Sequence, residues 1–188
     1  MTSFLRILAL CLLLLTSTSC HLFSRWRGPC SIWPMPMPEP SGGTPVTQDF
    51  ASAEGRFRIG LPGQGMRTAV AGKQDFTWFV FNLGQFYLKY YDYPQAVDTP
   101  EVSERLLKQL GNLIVSKRPT GQLEGDSALT LSGHPGREIR IRDETGIQVD
   151  RIYLAGNRMY IVSVFVTKSW DCKLGSALKV LDTFEITE

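Results

Sequence analysis

Histidine and cysteine are the side chains best able to act as base, nucleophile or soft metal ligand, and this sequence holds few of either. Of its two histidines, His21 lies near the N-terminal end and His134 stands in a Gly133-His134-Pro135-Gly136 run. Of its four cysteines, Cys11, Cys20 and Cys30 come early, and Cys172 alone lies far along the chain. A histidine metal site needs several ligands converging. No HExxH or paired-cysteine spacing supplies them, so neither a metal nor a cofactor is expected. A Gly-x-Ser-x-Gly elbow and a phosphate-cradling glycine loop are also absent. Cys172 and His134 as nucleophile and base would need only proximity in space. A disulfide or a buried thiol explains Cys172 better, and His134 reads as an exposed turn residue. Glu124, Asp126, Glu138, Asp143, Glu144 and Asp150 sit in turns or beside arginines. Solvated ion pairs are therefore expected there, not a catalytic pair or a calcium site. The expectation is a protein that is not an enzyme. A hydrolase would require His134 to meet a nucleophile or an acid in a cleft.

The densest unusual feature is aromatic: Phe76, Trp78, Phe79, Phe81, Phe86, Tyr87, Tyr90, Tyr91 and Tyr93. In strands these rings alternate between two faces, one of which must be core. If helices cover the other, the rings are all packing. If part of it is open, it forms an apolar ligand groove or a partner patch, for which Trp78, Tyr87 and Tyr91 are the candidates.

Charge excludes one class of partner. Taking the three arginines and two acids before Phe50 from the 20 basic and 18 acidic residues leaves 17 against 16. A balance of +1 gives no counterion-release drive toward nucleic acid. Arg137, Arg140, Arg142, Arg151 and Arg158 form a candidate basic stripe, but Glu138, Asp143, Glu144 and Asp150 interleave with them. A paired, solvated face is the expectation.

The N-terminal residues read as an export signal. Arg6 closes a short basic region, and residues 7–15 form an apolar run too short for a hydrocarbon core of ~30 Å. Thr16-Ser17-Thr18-Ser19 and then Cys20 follow. The arrangement resembles a bacterial lipoprotein signal, in which cleavage before a cysteine exposes it for acylation, although Ser17 stands where that pattern has a leucine-like residue. Residues 1–19 are thus assigned as signal and Cys20 as the lipidation site, anchoring the protein to a membrane at the cell envelope. Ordinary secretion and an uncleaved anchor are the alternatives. Export favours a disulfide, for which Cys30 and Cys172 remain if Cys20 carries lipid. A free thiol or an intermolecular bond fits the same count.

Residues 20–49 read as a tether. Pro29, Pro34, Pro36, Pro38, Pro40 and Pro45 remove amide donors and impose an extended backbone. Residues 50–188 then form one domain, of a size that one core can serve. Phe57, Ile59 and Leu61 alternate with Arg56, Arg58 and Gly60, which predicts a half-buried strand before a Pro62-Gly63 turn. Residues 76–83 and 85–93 predict a hairpin turning at Asn82-Leu83-Gly84. A helix over 99–115 is expected, with Thr99 as N-cap, Pro100 at its first position and Glu101 at its positive end. It would bury Val102, Leu106, Leu110 and Leu113. Four strands follow, over 123–131, 137–142, 148–155 and 159–167, then a helix over 174–181 and an apolar tail at Phe184 and Ile186. Gly133, Gly136 and Gly156 are expected in turns open to glycine. Glu138, Arg140 and Arg142 are expected to point away from a face that buries Ile139 and Ile141.

Several segments occur together in a familiar order: Glu54-Gly55-Arg56-Phe57, Leu61-Pro62-Gly63, Tyr91-Asp92-Tyr93-Pro94, Gly133 through Ile139, Arg151 through Tyr160, and Leu181-Asp182-Thr183-Phe184. They resemble a family of uncharacterised exported bacterial proteins with a PsbP-like domain. That resemblance implies an α+β fold, an antiparallel β-sheet flanked by helices in an α/β/α sandwich, and a non-enzymatic character. PsbP is an accessory protein of photosystem II, but no residues here match positions that would carry over photosynthesis or metal binding. The expectation is an envelope-tethered binding or assembly module whose partner is an envelope protein or an apolar small ligand. A lipid or small-molecule carrier is the alternative.

Overall fold

The computed structural model describes residues 47–62, 66–68, 75–80, 83–97 and 99–187. The signal, Cys20, Cys30 and the tether up to residue 46 lie outside them. The strands are β1 Thr47–Ser52, β2 Phe57–Pro62, β3 Met66–Thr68, β4 Asp75–Val80, β5 Gly84–Asp92, β6 Gln122–Leu131, β7 His134–Arg142, β8 Gly146–Ala155, β9 Arg158–Thr167 and β10 Glu185–Ile186. Helix α1 spans Pro100–Ser116; a 3-10 turn at Lys168–Lys173 leads into α2, Leu174–Leu181. Pairing is antiparallel throughout, in a seven-stranded sheet ordered β3-β4-β5-β9-β8-β7-β6 and a small sheet ordered β1-β2-β10. The chain enters the small sheet at Thr47, before Phe50, because Thr47 already pairs with Pro62.

One face of the large sheet packs on the small sheet and α2. Phe57 of β2 sits at its centre, with ring centroids 5.5 Å from Phe76, 5.9 Å from Phe50 and 5.9 Å from Phe184. Trp78, Phe86, Leu88, Tyr90, Val149, Tyr160, Val162 and Val164 fill the same layer. Burying each such side chain stabilises the fold by about 1.5–3 kcal/mol. The opposite face packs on α1 through Leu107, Ile139, Ile141, Ile152, Leu154 and Met159.

Three local expectations change. Helix α1 buries Ser103, Leu107 and Gly111, one position round from the expected stripe, and Leu113 is 49% exposed. Gly111 allows this rotation: a Cβ there would lie 3.0 Å from Ile139 Cδ1, so the helix seats its smallest residue against β7. Thr99 has N-cap backbone geometry but its hydroxyl caps nothing; Ser103 Oγ instead donates to the Val97 carbonyl at 2.8 Å. Gly133 (φ +85°) and Gly156 (φ +60°) do sit in turns, whereas Gly136 lies inside β7. Its need is space, since a Cβ would stand 2.6 Å from the Ile152 carbonyl oxygen.

Candidate functional site

The helix-bearing face of the large sheet changes character from one side to the other. Its successive rungs run Thr77–Tyr87–Ser163–Asp150–Ile139 and Phe79–Gln85–Phe165–Gln148–Ile141 across β4, β5, β9, β8 and β7. Alpha-helix α1 packs on the β7 and β8 end. On β4 and β5 this face carries Phe79, 46% exposed, and half-buried Tyr87, with Tyr91, 41% exposed, beyond Lys89, which pairs with Asp75 at 3.2 Å. Half-buried Ile161 and Phe165 continue this aromatic strip on β9. Trp170, in the 3-10 turn, approaches Phe79 with centroids 6.5 Å apart.

A polar seam divides the covered half from the aromatic half. Arg118, just past α1, donates to the Asp143 carboxylate at 2.9 Å and to Gln148 Oε1, and its guanidinium carbon lies 5.6 Å from the Phe165 ring centre. Gln148 Nε2 passes the chain on to both Asp150 oxygens at 2.8 Å, and Ser163 Oγ donates to the same carboxylate at 2.5 Å. Asp150 is 2% exposed, and burial pushes its carboxyl above the ordinary aspartate range against the hydrogen bonds that favour its charge. Sequence reasoning placed Asp150 in a solvated ion pair. Position 150 is flanked by Val149 and Arg151, and nothing in that spacing shows that Gln148 and Ser163 will meet it from either side.

The three residues singled out for a patch do not come together. Trp78 is 2% exposed on the core face, stacked on Phe76 at 5.9 Å and 8° and edge-on to Phe50. The register Val80↔Gly84 sets Trp78 beside Phe86 and sends Tyr87 and Tyr91 to the opposite face. Phe79 takes its place in the exposed strip. Strict alternation from Trp78 would have shown that it cannot share a face with its neighbour in sequence.

The arginine stripe is paired as expected, yet it is not uniformly solvated. Glu138 is 8% exposed on the core face and accepts from Arg140 Nε at 2.8 Å and Arg151 Nε at 2.7 Å; Arg151 also reaches Asp182 at 2.7 Å. Burial would raise the Glu138 carboxyl, but hydrogen bonds from Arg151 and Arg140 outweigh it and hold the group below its ordinary value. This cluster walls a polar cleft of about 300 Å³ with Ser127, Leu129, Tyr153 and Leu181. Ile139 and Ile141 face α1 instead, because β7 alternates.

His134 lines a separate pocket with Arg56, Asn157 and Tyr160, and Cys172 is not among its walls. Cys172 is disulfide-bonded. Among the described residues no cluster of three or more His, Cys, Asp or Glu is placed to hold a metal, and no helix is long and apolar enough to cross a membrane.

With this geometry in hand, comparison with solved structures is informative about architecture. The solution structure of cyanobacterial PsbP (CyanoP) from Synechocystis sp. PCC 6803 aligns with a TM-score of 0.56 at 13% identity, covering 81% of this chain and 99% of that one. The fold is PsbP-like. A protein from Bacteroides thetaiotaomicron VPI-5482 aligns at 0.47 and 14% identity over 76% of this chain and 49% of that one. A Pseudomonas aeruginosa protein of unknown function, described as a putative regulator, aligns at 0.40 and 15% identity over 73% and 94%. No protein-family model matches the sequence, and no curated protein matches it. The PsbP-like frame accounts for the two-faced sheet; at this identity it assigns no role to the aromatic strip or the seam.

Proposed function

We propose that this protein is a non-catalytic binding or assembly module, tethered to the bacterial cell envelope by lipid on Cys20, and that it engages an envelope protein through the aromatic half of its large sheet. The observation that carries the reading is the exposure of Phe79 and Tyr91 beside half-buried Tyr87, Ile161 and Phe165, on a face whose other half is sealed by α1. Exposed rings interspersed with polar groups such as the Lys89–Asp75 ion pair match the composition of interfaces, where aromatic anchors contribute most of the binding energy. Arg118, stacked over Phe165 and tied to Asp143 and Gln148, supplies a fixed polar border to the strip. The near-neutral charge of the domain suits such an apolar contact better than a charge-steered one.

Site-specific photo-crosslinkers at positions 79 and 91, in intact cells, test the interface. Leu113 and Leu123, each 49% exposed and away from the strip, serve as controls. The expected result is one defined envelope protein captured from 79 and 91 and not from 113 or 123. Equal capture from all four positions overturns the assignment of the face. The anchor is tested separately by labelled palmitate: Cys20→Ser abolishes incorporation, and undiminished incorporation in that variant removes Cys20 as the lipid site.

A further inference from the structure

At the edge of the fold, away from the aromatic strip, Arg56, His134, Ala155, Gly156, Asn157, Tyr160, Ile186 and Thr187 enclose a pocket of about 200 Å³. A water molecule occupies about 30 Å³ of liquid, so the space accommodates a small ion with some of its hydration. Among the described residues no carboxylate lines it. Among the described residues the Arg56 guanidinium and the His134 ring make no hydrogen bond or close ion pair, although the Arg56 charge reaches Asp92, which Arg158 already pairs; Arg105 is likewise without an ion pair, whereas Arg58, Arg118, Arg137, Arg140, Arg142, Arg151 and Arg158 are paired.

The backbone beneath Arg56 adds a second, independent observation. Arg56 has φ +51°, in the left-handed region where a residue with a Cβ is held at a cost of about 1–2 kcal/mol. Glycine would fit that conformation without strain. The turn is nevertheless fixed there from several sides. Tyr160 Oη donates to the Gly55 carbonyl at 2.9 Å, Arg158 Nη1 donates to the Glu54 carbonyl at 2.7 Å, and the amide of Gly55 donates to Ser52 Oγ at 3.0 Å. The Thr187 amide donates to the Arg56 carbonyl at 2.9 Å. Strained residues over-determined in this way concentrate at ligand sites. His134 enters from the start of β7, directly after the β6–β7 turn at Ser132 (φ +50°) and Gly133 (φ +85°).

We propose that this pocket binds a small oxyanion, a carboxylate or phosphate group, between the Arg56 guanidinium and the His134 imidazole. The guanidinium fork matches two oxygens of either group, and the ring N–H of His134, which lines the same pocket, supplies a third donor. Asn157 also lines the pocket, and its amide nitrogen donates to the Tyr93 carbonyl at 3.2 Å, which holds that side chain in place.

The test titrates the intact mature protein with inorganic phosphate, and separately with acetate, following backbone amide shifts at constant ionic strength. The expected result is saturable shifts centred on Arg56, Gly156 and Asn157. Arg56→Gly weakens the affinity by about tenfold or more, the effect of removing a charge-assisted hydrogen bond. Because glycine suits the left-handed turn, the same variant melts at a temperature equal to or above that of the parent. His134→Gln is the second variant and also weakens binding. Absence of saturation for both anions in the parent protein overturns the proposal. So does an affinity unchanged in Arg56→Gly or in His134→Gln.

Discussion

Tyr90 and Tyr160 are direct cross-strand neighbours with ring centroids 6.5 Å apart, yet only one of the two hydroxyls is hydrogen-bonded. Both side chains are 1% exposed. Tyr160 Oη donates to the Gly55 carbonyl, while Tyr90 Oη is buried with no hydrogen-bond partner among the described residues. Burial accordingly pushes both phenols above their ordinary value. What Tyr90 offers is its ring face, over which the Arg158 guanidinium carbon lies at 4.5 Å while that side chain grips Asp92 through Nη2 at 2.7 Å.

The pair gives a prediction with opposite signs. An unsatisfied buried hydroxyl is a liability of about 1–3 kcal/mol, whereas removing one partner of a made bond exposes the other to that cost. Tyr90→Phe should leave stability unchanged or raise it by up to about 1 kcal/mol, keeping the contact with Arg158. Tyr160→Phe should lower it by about 1 kcal/mol by releasing the turn at Gly55. Urea unfolding of both variants checks the order, and a Tyr90→Phe protein less stable than Tyr160→Phe would refute it.

The glycines of the β6–β7 hairpin separate conformational from steric need. An alanine Cβ at Gly136 meets the Ile152 carbonyl oxygen at 2.6 Å, a backbone atom that cannot yield without opening the β7–β8 ladder. Overpacking of this kind costs about 1–3 kcal/mol, with backbone contacts at the upper end. At Gly133 the added methyl meets nothing, and only the left-handed φ opposes it, at about 1 kcal/mol. Gly111→Ala should be close to neutral. There the gain in helix propensity of about 1 kcal/mol offsets the 3.0 Å approach to a movable Ile139 methyl. Thermal melts should rank Gly136→Ala as the most damaging of the three.

Much of this architecture is written in short-range pattern. Phe57, Ile59 and Leu61 declare β2 by alternation, and Leu174 through Leu181 declare α2 by spacing, because each element must bury one face. The buried α1 stripe lies one residue round from the apolar periodicity because glycine and serine, which carry no hydrophobic signal, are buried beside Leu107 at Gly111 and Ser103. The candidate site was legible only in composition. Which aromatic rings are exposed depends on strand register, fixed by the pairing of Val80 with Gly84. Asp150 and Ser163, or Arg56 and His134, lie far apart in sequence, and their meeting depends on the sheet order rather than on any local motif.

The disulfide at Cys172 makes a sharp prediction about the N-terminal region. The sequence offers Cys11, Cys20 and Cys30 as candidate partners within the chain. If the signal is removed and Cys20 carries lipid, Cys30 alone remains. Peptide mapping of the mature protein under non-reducing conditions should therefore recover Cys172 joined to Cys30. Recovery of a Cys20–Cys172 peptide would remove Cys20 as the lipid site at the same stroke, since that sulfur cannot carry both bonds.

The buried carboxyl of Asp150 predicts how stability varies with pH. Its folded-state pKa is raised above the unfolded value, chiefly by burial, so between the two values the folded protein binds more protons than the unfolded chain. Stability then falls as pH rises through that window. The sign is opposite to that of Glu138, whose lowered pKa gives stability that is lost as pH falls. Asp150→Asn removes the titrating group. It also places an amide N–H₂ opposite Gln148 Nε2, so its absolute stability mixes a lost hydrogen bond with a lost charge. The informative quantity is the difference between variant and parent at two pH values. That difference should move in favour of the variant as pH rises from the ordinary aspartate range toward neutral, because the parent alone loses the stability tied to the raised carboxyl. Urea unfolding at both pH values measures it. A difference that is constant, or that moves in favour of the parent as pH rises, would show that the Ser163 and Gln148 hydrogen bonds outweigh burial and keep Asp150 ionised at no cost.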